Sequence, residues 1–235
     1  MLRWLALLLL LSSMTPALTR NLPANERSRQ AAQRVSDALR AQLRELGADW
    51  GSSLYLRIFK ASDELEIWVD TGSRHQLLRT WPICTWSGAL GPKLRQGDGQ
   101  APEGFYAVGP QQLNPASSYH LSFNLGYPNA FDRAHGRSGD YLMVHGSCVS
   151  IGCYAMGDAA IEEIYTLVAA ALAHGQDRVP VHIFPFRMDN GWEDEHAGSE
   201  WLPFWQQLAP AYAAFAESGQ PPQVSVKNRH YVLAK

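Results

Sequence analysis

Hydrophobic and polar positions follow two different rhythms along this chain. In NERSRQAAQRVSDALRAQLRELG (25–47), Val35, Leu39, Leu43 and Leu46 recur at helical spacing and Gly47 supplies a stop, which predicts one amphipathic helix. From residue 53 the period falls to two. SLYLRIFK (53–60), ELEIWVD (64–70) and HQLLRTWPI (75–83) alternate across short polar connectors and predict a meander of strands. SGALGPKLRQGDGQAPEGFYAVGP (87–110) is too rich in glycine and proline for a regular element and reads as a long ordered loop, and the polar and aromatic SSYHLSFNLGYPNAFDRAHGRSG (117–139) carries further turn signals. YLMVHG then reads as an apolar strand. GDAAIEEIYTLVAAALAHG (157–175) regains the 3.6-residue period, with Asp158 as N-cap and Gly175 as terminator. VPVHIFPFRM (179–188) reads as a returning strand, SEWLPFWQQLAPAYAAF (199–215) as a helix broken or kinked at Pro210, and HYVLA as a closing strand.

The first residues, MLRWLALLLLLSSMTPA, combine one early cation, Arg3, with an apolar run shorter than the roughly 20 residues that cross a bilayer, and with small residues towards Ala17. This is the pattern of a secretory signal peptide over 1–17, and it places the chain outside the cytoplasm. The 235 residues are enough for one sizeable core. With a net charge of −2 and no long basic run, nucleic acid is excluded as a partner. The three cysteines, Cys84, Cys148 and Cys153, are an odd number, so one thiol stays unpaired within the monomer.

That arithmetic draws attention to VHGSCVSIGCYAM (144–156). A strand ending at His145-Gly146 and a turn ending at Gly152-Cys153 bring an imidazole and a thiol towards each other, the pairing that activates a sulfur nucleophile. Gly152 permits a sharp turn through which the backbone N–H groups of Ile151, Gly152 and Cys153 converge on an oxyanion. Ser147 and Ser150 are candidate supports for the imidazole or the turn. The competing readings are an inert buried thiol, a Cys148–Cys153 disulfide, and a zinc site shared with His145, which lacks the usual ligand spacings. Cys84, beside Trp81 and Trp86, reads as a small core residue.

GALGPKLRQGDGQAPEGFYAV, NPASSYHLSFNLGYPNAFDRAHGRSG and YLMVHGSCVSIGCYAM occur in this order, and the chain resembles the YkuD family of L,D-transpeptidases, in particular its YafK-like branch, over roughly residues 50–190. The resemblance implies a mainly β catalytic domain, a sandwich or barrel spanning 50–190, with flanking helices: an N-terminal helical segment at 18–49 and a C-terminal helical extension at 191–235. It implies that Cys153 attacks a peptide bond between an L-configured centre and a D-amino acid on a peptidoglycan stem peptide, forming a thioester. His145 would be the general base and the Gly146 carbonyl would orient it. No metal or organic cofactor is implied. The common family pattern S-H-G-C-[IV]-R is here Ser150-Ile151-Gly152-Cys153-Tyr154-Ala155, so its second histidine and its arginine are absent. The SIGCYAM form is that of the YafK-like branch, part of which is associated with hydrolysing the link between peptidoglycan and an outer-membrane lipoprotein. Hydrolysis is therefore the alternative to transfer, and a non-catalytic peptidoglycan-binding module is the alternative of another class.

Stem-peptide carboxylates call for cations, and Lys93, His120, Arg133, His135 and Arg137 are the candidates, against the plainer reading of solvated surface charge. Trp192, Trp201 and Trp205 are either sugar-stacking or core residues.

Overall fold

The computed structural model describes residues 20–234. The leader predicted over 1–17 lies outside them. Helix α1 (Glu26–Glu45) leads into strands β1 (Leu54–Phe59), β2 (Glu64–Asp70), β3 (His75–Pro82) and β4 (Thr85–Trp86). Strands β5 (Gly104–Val108), β6 (Leu113–Asn114) and β7 (Ser122–Asn124) precede helix α2 (Ala130–Ala134). Strands β8 (Met143–His145) and β9 (Tyr154–Ala155) flank the cysteine motif, followed by α3 (Asp158–Ala173) and β10 (Val179–Phe184). Helices α4 (Trp192–Glu195) and α5 (Leu202–Ser218) and a hairpin of β11 (Val224–Lys227) and β12 (His230–Leu233) complete the described chain.

Two five-stranded sheets carry the architecture, in the orders β3-β2-β1-β10-β5 and β4-β9-β8-β7-β6, so the fold is mainly β with flanking helices. Pairing is antiparallel except for β1 with β10 and β8 with β9. β1 is buried at every position because it lies inside its sheet with both faces covered. Leu54, Leu56 and Ile58 enter the main core with Val181 and Ile183 of β10 and the apolar side of α3. The intervening residues face an aromatic cluster in which Phe59 and Phe184 pack with Phe204, Trp205 and Leu208 of α5. α1 packs through Ala31, Leu39 and Leu43. Its start is fixed by a capping box: the Asn25 side chain accepts from the Ser28 N–H, and Ser28 Oγ accepts from the Asn25 N–H, both at 3.0 Å.

Several expectations need correction. The glycine-rich segment 87–110 contains strand β5, whose start tolerates Gly104 because this residue takes φ +131°, a conformation open to glycine. β7 and α2 lie within the stretch read as turns; α2 begins with reciprocal capping between Asn129 and Asp132. The cap of α3 is Gly157, with Asp158 as the first helical residue, because the Asp158 carboxylate is committed to the Ser147 N–H at 2.7 Å. α5 continues through Pro210 to Ser218, its apolar face held by the aromatic cluster. The closing strand read in HYVLA is present as β12 and pairs with β11 in a two-stranded hairpin.

Candidate active site

The parallel register of β8 and β9 sets Val144 opposite Tyr154 and His145 opposite Ala155. Continuing that register by one residue puts Cys153 across from Met143, on the face that His145 shares by two-residue alternation. Val144 and Tyr154 take the opposite face and are fully buried. Cys153 and His145 both line a cleft of about 270 Å³, together with Met143, Ser150 and four apolar side chains: Tyr119, Tyr141, Val149 and Ile151. Those four are exposed, Ile151 to 86% and Tyr141 to 71%. Single exposed hydrophobics need no explanation, but four around one cleft form a patch suited to an apolar ligand surface.

His145 is 1% exposed. Its Nδ1 lies 2.5 Å from the Gly146 carbonyl oxygen. A carbonyl only accepts, so Nδ1 carries the proton and Nε2 keeps a free lone pair. Burial lowers the imidazole pKa, partly opposed by that hydrogen bond. The Tyr119 ring packs against the imidazole at 4.8 Å between centroids. Gly146 is required by crowding: a Cβ there would meet Asp158 Oδ1 at 2.7 Å and the Tyr119 carbonyl oxygen at 2.8 Å.

Cys153 is a free thiol of intermediate exposure. Burial raises its pKa, and a hydrogen bond from the Met143 backbone and the charge of Lys93 work in the other direction. Its Sγ–H donates to the Tyr141 carbonyl at 3.6 Å. Both shifts favour the uncharged forms, thiol and imidazole.

Ser150 Oγ accepts from the N–H of Cys153 at 3.1 Å and of Gly152 at 3.2 Å, and donates to the Cys153 carbonyl at 2.8 Å. Ser87 Oγ, from the glycine-rich segment, accepts the Gly152 N–H at 2.5 Å and lies 3.2 Å from Ser150 Oγ. The Gly152 and Cys153 amides expected to stand open for an oxyanion are thus held by serine hydroxyls, whereas the Ile151 N–H finds no protein acceptor among the described residues. Gly152 adopts φ +113°, which explains the glycine. Ser147 contributes its backbone: its N–H meets Asp158 and its carbonyl accepts from Gly157 at 2.8 Å.

Cys148 pairs with Cys84, with a Cα–Cα distance of 5.5 Å, so neither the Cys148–Cys153 loop nor the buried Cys84 of the sequence reading holds. The register of β4 against β9 brings the two chain segments together, and the Cys84 N–H donates to the Ala155 carbonyl at 2.8 Å. The zinc alternative finds no support: among the described residues no three His, Cys, Asp or Glu side chains cluster as metal ligands.

Residues 55–183 match the model of the YkuD family, described as the L,D-transpeptidase catalytic domain. Over 185 residues, 79% of this chain and 75% of the relative, the sequence is 50% identical to "Putative L,D-transpeptidase YafK" in two strains of Escherichia coli. The chain belongs to the YkuD family of L,D-transpeptidases. Among solved structures it is similar to the helical cell shape determining protein Pgp2 of Campylobacter jejuni, with a TM-score of 0.46, 18% identity and coverage of 81% and 80% of the two chains. It is also similar to Bd1075 of Bdellovibrio bacteriovorus, with a TM-score of 0.40, 15% identity and coverage of 75% and 78%.

In this YkuD-family chain the proposed carboxylate-binding cations do not gather at the cleft. Lys93 is 4% exposed, its Nζ committed to Asp98 and to the Arg95 carbonyl, so it reaches Cys153 only through its field. His120 Nε2 lies 2.8 Å from Glu162, which also takes a two-pronged contact from Arg34 of α1. Arg137 pairs with Asp132 at 2.8 Å and is stacked on Phe131 and Phe204. His135 lies against the Phe131 ring and carbonyl. Arg133 borders a different cavity. Trp205 is core, its Nε1–H on Glu103 at 2.8 Å, and Trp201 packs over Gly91. Tyr119, Tyr141, Ser87 and Asp158 are the site residues that sequence reasoning missed. Ser87 and Tyr119 lie on segments remote from the motif, Tyr141 accepts from Cys153 through its backbone carbonyl, and Asp158, read as a helix cap, turns its carboxylate back to the Ser147 N–H; no local pattern marks these contacts.

Proposed function

We propose that the chain is an exported, cysteine-dependent L,D-transpeptidase of the cell envelope, acting on peptidoglycan stem peptides through a thioester on Cys153. The observation that carries this reading is a free thiol and an oriented neutral imidazole on one face of β8 and β9, lining one cleft. Nε2 of His145 takes the thiol proton as Sγ bonds to the carbonyl carbon of the bond between an L-centre and a D-residue. The tetrahedral intermediate collapses, the C–N bond breaks, and the imidazolium passes its proton to the leaving amine. An amine of a second stem peptide then attacks the thioester, His145 again taking the proton, and sulfur leaves. The Gly146 carbonyl keeps Nε2 aimed throughout. Ile151 N–H is the amide free to meet the oxyanion, and Gly152 and Cys153 join it by exchanging a serine oxygen for the more strongly accepting anion. The apolar rim supplies walls for the aliphatic part of the stem peptide.

The test is digestion of purified sacculi with the protein, followed by mass spectrometry of the muropeptides. New cross-links are the expected product, and the Cys153→Ala variant should form none. Released peptides or lipoprotein without cross-links would replace transfer by hydrolysis on the same thioester. Full activity in the Cys153→Ala variant would reject the nucleophile, and a wild-type protein that binds sacculi without changing them would leave a binding module.

A further inference from the structure

A cavity of about 660 Å³ lies at the free edge of β5, closed on one side by residues 221–224 of the C-terminal segment, and shares no lining residue with the Cys153 cleft. Two arginines border it. Arg133 donates to the Pro128 carbonyl; Arg178 donates to the Ala107 carbonyl and, at 2.9 Å, to Gln112 Oε1. These partners are neutral, and among the described residues neither guanidinium meets a carboxylate. Both guanidiniums are exposed at the cavity rim, and each is oriented by its anchors without a carboxylate partner, which favours an incoming anion at reduced ordering cost.

The cavity wall carries a second, independent feature. His182 is 3% exposed, yet its ring lines the cavity. Nδ1 is taken by the Tyr55 hydroxyl at 2.8 Å, and Nε2 has no protein partner among the described residues. Burial, then the charge of Arg57, bring the pKa of this imidazole down to about 3, so it faces the cavity as a neutral group. In a residue otherwise buried, Nε2 is left open to the cavity and can meet a polar group placed there. The strand edge adds backbone: the Phe105 carbonyl on that edge accepts from Asn129 Nδ2 at 2.9 Å, and the Ala107 carbonyl accepts from Arg178. By strand alternation the Ala107 N–H opens to the same side, where it finds no protein acceptor among the described residues.

We propose that this cavity is a second binding site, separate from the Cys153 cleft, for an extended peptide bearing carboxylates. Arg133 and Arg178 take the carboxylates, the open Ala107 N–H of the β5 edge meets one backbone carbonyl of the peptide, and His182 Nε2 meets a polar group of the inserted segment. The site does not rest on the chemistry of Cys153, and its test uses the full-length Cys153→Ala variant so that the two stand or fall separately. The probe is N-acetyl-Ala-Glu-Ala with a free C-terminal carboxylate, and its control is N-acetyl-Ala-Gln-Ala-amide. In calorimetric titration the acidic peptide should bind and the amide should not, and R133A with R178A should weaken binding by about tenfold or more. In the otherwise unaltered chain the acidic peptide should shift the imidazole resonances of His182 and leave those of His145 in place, a readout that does not depend on how the arginine variants fold. Absence of binding, equal binding of the amide, indifference to both arginines, or a shift at His145 in place of His182 would each overturn the proposal.

Discussion

Burial works on Cys153 and His145, the two groups proposed to react, in opposite directions, because it disfavours whichever form is charged. It lowers the pKa of His145 and raises that of Cys153. Neutral imidazole, the form that accepts a proton, therefore persists below the ordinary histidine range, and thiol persists above the ordinary cysteine range. The acid limb of the acylation rate should fall below pH ~6.5, and the iodoacetamide reactivity of Cys153 should climb only above pH ~8.5. An alkylation midpoint below pH 7 would mean a resting thiolate–imidazolium pair and would sink the neutral-pair mechanism. Ser150 tests the turn at the same scale. Its hydroxyl ties two amides and the Cys153 carbonyl, so Ser150→Ala should lower the acylation rate by about 10- to 100-fold. Retained stability of that variant, read by thermal unfolding, separates misplacement of the nucleophile from loss of fold. The motif made Cys153, His145 and Gly146 legible in the sequence because they are local to one strand–turn–strand unit. Ser87 and Tyr119 were not legible, since each reaches the site by a contact across more than 20 positions whose partner no local pattern names.

Among the elements, those whose own periodicity decides their burial were readable. α1, β1, β2 and β3 lie within a residue or two of their expected bounds, since each packs a regular apolar face. β5 was hidden because its glycine and proline surroundings resemble a loop, and its strand character comes from pairing with β10. The Cys84–Cys148 pairing likewise depends on β4 meeting β9, a tertiary event. That disulfide closes a separation of 64 residues and ties the start of the cysteine turn to the end of β3, so replacing both cysteines by serine should cost about 2–4 kcal/mol. Urea denaturation measures it, and a change under about 0.5 kcal/mol would show that the tether constrains little. The segment carrying Lys93 has its own pH dependence. Burial pushes the Asp98 carboxyl up, but the N–H of Arg95, the Lys93 ammonium and the N–H groups of Leu94 and Gln100 outweigh it and hold the pKa down to about 2. A depressed carboxylate stabilises above its unfolded value and loses that contribution as pH falls. The protection of the Leu94 and Arg95 N–H groups against hydrogen exchange, taken relative to the intrinsic rate at each pH, should therefore fall from about pH 4 towards pH 2, ahead of protection in β1.

At the scale of the molecule, one fully buried ion pair connects the sheet, the glycine-rich segment and the C-terminal helix. Lys60, just past β1, and Glu103, just before β5, are both 0% exposed and lie 3.0 Å apart. The ammonium also donates to the carbonyls of Ala89, Gly91 and Ala101, and the carboxylate also accepts from the Gly91 N–H at 2.6 Å and from Trp205 Nε1 of α5 at 2.8 Å. Every partner here comes from a segment that approaches the cleft or covers the sheet, so the pair holds the stretch carrying Ser87 against the body of the fold. No single stretch of sequence announced it, because a lone lysine and a lone glutamate ordinarily lie at the surface. Burying two charges is costly and is offset only while both remain and their hydrogen bonds are filled. Lys60→Met alone leaves a buried carboxylate without its counter-charge and should cost about 3–5 kcal/mol in urea denaturation; Glu103→Leu alone should cost a similar amount. The double variant Lys60→Met with Glu103→Leu removes both charges and should recover much of the loss, although the Gly91 N–H and Trp205 Nε1 then lack an acceptor. A double variant as unstable as the sum of the singles would show that packing volume, and not charge pairing, sets the cost at this junction.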